Sequence, residues 1–196
     1  MPIIHTAVGA RADVVPHHPV TAPGTFAYHW GTMALRDVFV PKGWVKDSTA
    51  GIESVYDPET GTKIIFQNTD SACEIYDPKA ISEKGIASER IVMWAQKGLF
   101  AEIDEERQKR LNGPVWYFCL FVNGDDARAE LSRPLAINRR QFKQFIERIF
   151  LLKHGEWNPI VPSKKVEYPS SVRLGFCMVA TGKQRQKNFT RGRFFS

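Results

Sequence analysis

Two groups of residues in this chain have types and spacing suited to chemistry. The first lies in residues 168–196, which hold Arg173, Lys183, Arg185, Lys187, Arg191 and Arg193 and neither Asp nor Glu. Guanidinium and ammonium groups neutralise phosphates with release of counterions, and the interleaved Phe189, Phe194 and Phe195 offer faces on which unpaired bases stack. The second group is Asp57 with Asp77-Pro78-Lys79. Two carboxylates that hold Mg²⁺ on a scissile phosphate, with a lysine beside the attacking water, are what a metal-dependent nuclease requires.

The spacing of Asp57, Asp77 and Lys79 resembles the PD-(D/E)xK nuclease core, and the resemblance implies Mg²⁺-dependent cleavage. The chain departs from that pattern at two points. Asp57 opens a tight turn, and Pro78 interrupts the strand that would present Lys79, so both Asp-Pro steps also serve as turn initiators. The Arg191-Gly192-Arg193 step resembles a fragment of arginine-glycine RNA-binding segments. It implies contact with a nucleic-acid backbone; the competing reading is a solvated tail.

Two further basic groups extend the candidate interface. Lys42-Gly43-Trp44-Val45-Lys46 sets an indole between two ammonium groups, and Trp44 is suited either to stack on a base or to fold over a sheet edge. Arg139, Arg140, Lys143 and Arg148 fall on the polar side of a predicted helix, with Glu147 opposing them.

The charge balance separates body from tail. The chain has 27 Lys+Arg against 21 Asp+Glu, and the excess of six equals the six bases after Tyr168. A neutral body with a one-signed extension points to an anionic partner. The first expectation is a nucleic-acid-binding accessory protein acting on DNA or RNA. The alternative is an interaction or inhibitor protein docking on an acidic protein surface through the same arm and the Trp44 loop. The nuclease is third.

Other chemistries lack support. Histidines 5, 17, 18, 29 and 154 form neither HExxH nor HxH, and the three cysteines Cys73, Cys119 and Cys177 are far apart, so no metal site is expected. Cys119 sits among aromatic residues and should be buried and protonated. There is no GxxxxGK[ST] or GxGxxG loop, and no cofactor is expected. No signal peptide or apolar run of spanning length is apparent, which gives the expectation of a soluble, cytoplasmic protein. Nothing in the sequence requires an enzyme.

The elements that would position these residues form an α+β domain. Residues 1–25, with Pro2, Pro16, Pro19 and Pro23, are expected as an extended arm. Residues 26–180 are expected to fold as a single domain and 181–196 to form the basic tail. Residues 26–40 are predicted as strand with an irregular middle. Strands 53–56 and 62–67 flank Asp57-Pro58-Glu59-Thr60-Gly61 as a hairpin, and 73–76 completes a meander. An edge of that meander is open to pairing, compatible with a homodimer.

A helix capped by Ser88 and a charged helical turn at 104–111 follow. Residues 115–122 are apolar on both faces, as a central strand is, and form a second hairpin with 127–132. Asn138 with Gln141 gives a capping box, and Phe142, Phe145, Ile146, Ile149, Phe150 and Leu152 recur at helical spacing, predicting a helix over 139–153. A last strand is predicted over 172–178. The expected architecture is an antiparallel sheet of meander plus hairpin against two or three helices.

Overall fold

The computed structural model describes residues 1–97 and 113–158, all within one compact unit spanning Met1–Ile160. The predicted helical turn at 104–111, the strand at 172–178 and the tail at 181–196 lie outside the described residues.

The strands predicted at 53–56, 62–67 and 115–122 are present, each within one residue of its expected bounds. They belong to a six-stranded sheet in chain order: β1 (Val45–Asp47), β2 (Ser54–Tyr56), β3 (Lys63–Asn68), β4 (Val115–Asn123), β5 (Asp126–Asn138) and β6 (Gln141–Leu152). Neighbours are antiparallel except β3 and β4, which run parallel with Lys63 opposite Val115 and Asn68 opposite Leu120. A parallel pair needs a crossover, and helix α3 (Ile86–Lys97) lies in that connection. The turn before β3 follows the expected chemistry. Asp57 Oδ1 accepts from the Glu59 N–H at 3.1 Å, Oδ2 accepts from Thr60 Oγ1 at 2.6 Å, and Gly61 takes φ 74°.

Every residue of β3 is buried, so the sheet must be covered on both faces. Ile64 and Phe66 of β3, with Phe118 and Leu120 of β4, face a core built with Ile3, Ile4, Ala7, Ala34 and Leu35. Ile65, Tyr117 and Cys119 face the opposite way, against Ile91, Val92, Ile137 and Phe142. This alternation is the period-two rule applied to two strands in register.

The first core corrects the expectation for the N-terminus. In place of an extended arm there is helix α1 (Pro2–Ala12), and in place of a strand at 26–40 there is helix α2 (Ala22–Phe39). Pro2 and Pro23 stand in the first turn of their helices, where the missing N–H has no intrahelical acceptor to lose. Ala27, Gly31, Ala34 and Leu35 then make a buried face at three- and four-residue spacing. Its small residues let the helix axis approach the sheet closely.

Two further expectations fail locally. Residues 73–76 are not a strand; Cys73 has φ 58°, and Ile75 and Tyr76 are exposed, while β1 supplies the third strand of the meander. Residues 139–153 are not a helix but the turn into β6 and the strand itself. The β5–β6 hairpin closes on Arg139 and Arg140, both at positive φ, a two-residue turn without the usual Asn-Gly signature. Register shifts opposite Arg133/Pro134 and Ala129/Glu130 each place an extra residue in β6, and Gln144 is left-handed at φ 55°. The left-handed Gln144 lies between Phe142 and Phe145, which reach one core at a three-residue spacing that imitates a helix. Helix α3 forms near its predicted place, beginning two residues before Ser88.

Gly31 tests this packing. A Cβ there would enter the space of the buried Phe66 ring. Alanine is favoured over glycine in a helix by about 1 kcal/mol, whereas overpacking a tight core costs about 1–3 kcal/mol. Gly31→Ala is expected to lower the urea midpoint, and adding Phe66→Leu to restore part of the loss. A raised midpoint in the single variant would contradict the close approach of α2 to β3.

Candidate functional site

The acids and lysine of the nuclease pattern do not converge. Asp57 lies in the turn before β3, while Asp77 and Lys79 lie in the loop after it. They are separated by the length of a six-residue strand, roughly 17–20 Å. Asp77 instead stands 3.7 Å from Arg148 Nη1, and the Lys79 backbone N–H donates to Asp70 Oδ1 at 2.8 Å. Among the described residues no group of three or more His, Cys, Asp or Glu can hold a metal ion.

The basic residues outside the tail are also dispersed. Trp44 rests on Phe39 with ring centroids 4.8 Å apart, and Lys42 Nζ lies 5.8 Å over the same ring. The indole is thus folded over the end of α2. Lys46 is exposed on β1, one edge of the sheet, whereas Lys143 is exposed on β6, the other edge. Arg140 is exposed and bonded to Glu83 at 2.7 Å. Arg148 turns inward, so the four bases expected on one helix face do not form a stripe. Lys183, Arg185, Lys187, Phe189, Arg191 and Arg193 lie outside the described residues.

Several charged groups of the body, most of them buried or half-buried, are paired with one another. Glu130, fully buried, accepts from Arg148 Nε and Nη2, each at 2.8 Å, and from Ser132 Oγ at 2.6 Å; its Oε2 also accepts the Cys73 N–H. Arg36 pairs with Glu53, and Arg128 with Asp126 and Glu74. Lys63, buried at 2% exposure, donates to Asp47 Oδ2 at 2.6 Å. Burial alone would raise the Asp47 carboxyl, but hydrogen bonds from Lys63, Thr49 and Ser54 outweigh it and hold the group below its ordinary value.

Lys84 has a different environment, and nothing in its sequence context, a polar Glu-Lys-Gly step, distinguishes it. The segment carrying it is tied to the C-terminal end of β3. Ile81 N–H donates to Asn68 O at 3.0 Å, Thr69 and Ala80 form a β-bridge, and the Gln141 side chain bonds both backbone groups of Ala80. The Lys84 backbone N–H donates to Arg140 O at 2.9 Å. These anchors turn the side chain inward at 8% exposure, where Nζ donates to Gln67 Oε1 and lies 4.8 Å over Tyr117 and 5.6 Å over Phe142. Gln67 Nε2 donates to Asn68 O, and Asn68 Nδ2 reaches Gly24 O in the first turn of α2, both at 2.8 Å.

Lys84 lines a cleft of about 690 Å³ between the start of α2, the end of β3 and the segment 81–85. Burial lowers its ammonium to about 8 from 10.5. Cys119 and Tyr117 nearby are pushed well above their ordinary values by burial and stay uncharged. Cys73 is raised by burial and by Glu130; it and Cys119 are free thiols.

No protein-family model matches the chain, and neither a curated protein nor a solved structure does. Among the described residues no helix is long and apolar enough to cross a membrane.

The lowered Lys84 value sets a pH dependence. Between about pH 8 and 10.5 the unfolded chain holds a proton that the folded chain has released, so stability rises with pH across that window. The full rise attributable to this group is roughly 3 kcal/mol, at about 1.4 kcal/mol for each tenfold change in proton affinity. Urea unfolding of the wild type and Lys84→Met at pH 7.5, 9 and 10.5 is expected to show the two diverging in favour of the wild type as pH increases. Parallel curves would mean that Lys84 keeps its proton when buried.

Proposed function

We propose that this protein binds nucleic acid through its basic C-terminal arm, carried on an electrically neutral α+β body. The observation behind this reading is the segregation of charge. The net +6 equals the six bases of the acid-free stretch 168–196, and within the described residues Lys+Arg and Asp+Glu are equal in number. The internal ion pairs of the body strengthen it. Arg36, Lys63, Arg128, Arg140 and Arg148 each have a carboxylate partner, leaving them little reach toward a distant anion. The remaining bases of the body are matched in number by its acids, so long-range attraction is assigned to Lys183, Arg185, Lys187, Arg191 and Arg193, with Phe189 available to stack on an unpaired base.

The test is the binding of labelled single-stranded DNA and RNA to the full chain and to a chain ending at residue 180, at 50 and 200 mM salt. Loss of five cationic contacts is expected to weaken binding at low salt. It should also reduce the slope of log affinity against log salt by up to about 3.5, at about 0.7 per phosphate contact. Equal binding by both chains, or none by either, would reject the reading. Capture of an acidic protein that survives nuclease treatment and needs the same arm would favour the alternative of a protein partner.

A further inference from the structure

The two buried lysines among the described residues have opposite surroundings. Lys63 is paired with Asp47, whereas Lys84 meets the neutral amide of Gln67 and two aromatic faces. A buried ammonium without a counterion is costly, and it either sheds its proton or is neutralised by an anion from outside. Lys84 and its partner Gln67 both line the cleft. The same cleft presents Arg11 and the hydroxyl-bearing residues Thr21, Thr25 and Ser88, together with an apolar floor at Ile52 and Ile65. The rim carboxylate of Glu83 is already paired with Arg140.

We propose that this cleft binds a small phosphate monoester, with its phosphate on Lys84 and its organic part against Ile52 and Ile65. Two cationic side chains and several hydroxyls suit a dianion with more than two acceptor oxygens. A cleft of about 690 Å³ has the size of ordinary small-ligand sites, roughly 300–1,000 Å³. The groups facing Lys84 leave the ammonium to the ligand. Cys119 and Tyr117 on β4 are uncharged, Gln67 on β3 is neutral, Phe142 on β6 is apolar, and Arg11, Glu83, Arg140 and Glu89 of α3 are at the rim. Binding would restore the proton to Lys84, because a phosphate beside it favours the charged form.

The experiment is calorimetric titration of the full chain with phenyl phosphate at pH 8.5, in two buffers of different ionisation enthalpy. Saturable binding is expected, accompanied by uptake of most of one proton. Lys84→Met is expected to bind at least about tenfold more weakly, the loss of one charged hydrogen bond, and to take up no proton. Benzyl alcohol, which lacks the charge, is expected to bind at least about tenfold more weakly than phenyl phosphate. The idea fails if phenyl phosphate does not saturate the wild type by 10 mM, or if Lys84→Met binds within twofold of it. Saturation without proton uptake also overturns it. That outcome would assign the phosphate to bases that are already charged, and it is read on the wild type alone, whether or not the variant folds.

Discussion

The structure depends on the burial of β3 along its entire length and on both faces. A strand in that position needs a layer above and a layer below, and the chain provides them from opposite directions in sequence. Helices α1 and α2 precede the strand and cover Ile64 and Phe66; α3 follows it and covers Ile65. The parallel pairing with β4 belongs to the same constraint, because the chain must cross over a face before it can return beside β3. Such a strand is ordinarily apolar throughout. This one contains Lys63, Gln67 and Asn68, and each must find a partner inside.

The partners found by those three residues generate the local chemistry. Lys63 lies at the start of β3, where Asp47 of β1 supplies a carboxylate. Gln67 and Asn68 lie at the far end. Asn68 links the strand to the first turn of α2, and Gln67 accepts from Lys84. The cleft is thus bordered by groups whose first duty is to satisfy buried amides. Its lysine is held by a dipole where its counterpart at the other end of the strand is held by a charge. Burial without a carboxylate to offset it is the physical origin of the depressed Lys84 value.

Much of the sheet is readable in the chain, and the failures share one cause. The hairpin around Asp57 is announced by Asp-Pro and a late glycine, and β4 by an apolar run too long to leave a face in water. The helical N-terminus is hidden because proline disrupts a helix interior yet fits its first turn; Pro2 and Pro23 carry no mark of which position they hold. β6 is hidden because Gln144 and two extra residues shift its phase, and Phe142, Phe145 and Ile149 fall at helical intervals although the backbone is extended. Lys84 is hidden for a tertiary reason: its burial follows from the Arg140 and Asn68 carbonyls that fix its segment, and Arg140 lies tens of residues away. In each case local residue type is compatible with two structures, and packing from a distant part of the chain selects between them.

Electrostatic range separates the two binding proposals. Unpaired charges on an arm act out to a Debye length, about 8–10 Å at moderate salt, and attract any polyanion with little regard to its shape. A single lysine buried behind Gln67 adds one charge to a body whose acids and bases are equal in number, and contributes little at that distance. Its effect begins only when a ligand has entered the cleft and displaced water, where the same charge acts in a medium of lower polarity. An arm of that kind governs how fast and how salt-sensitively a partner arrives. A buried amine governs which small anion stays. The two proposals therefore have separate readouts: the arm is read in the salt dependence of polyanion binding, and Lys84 in the proton taken up with a small anion.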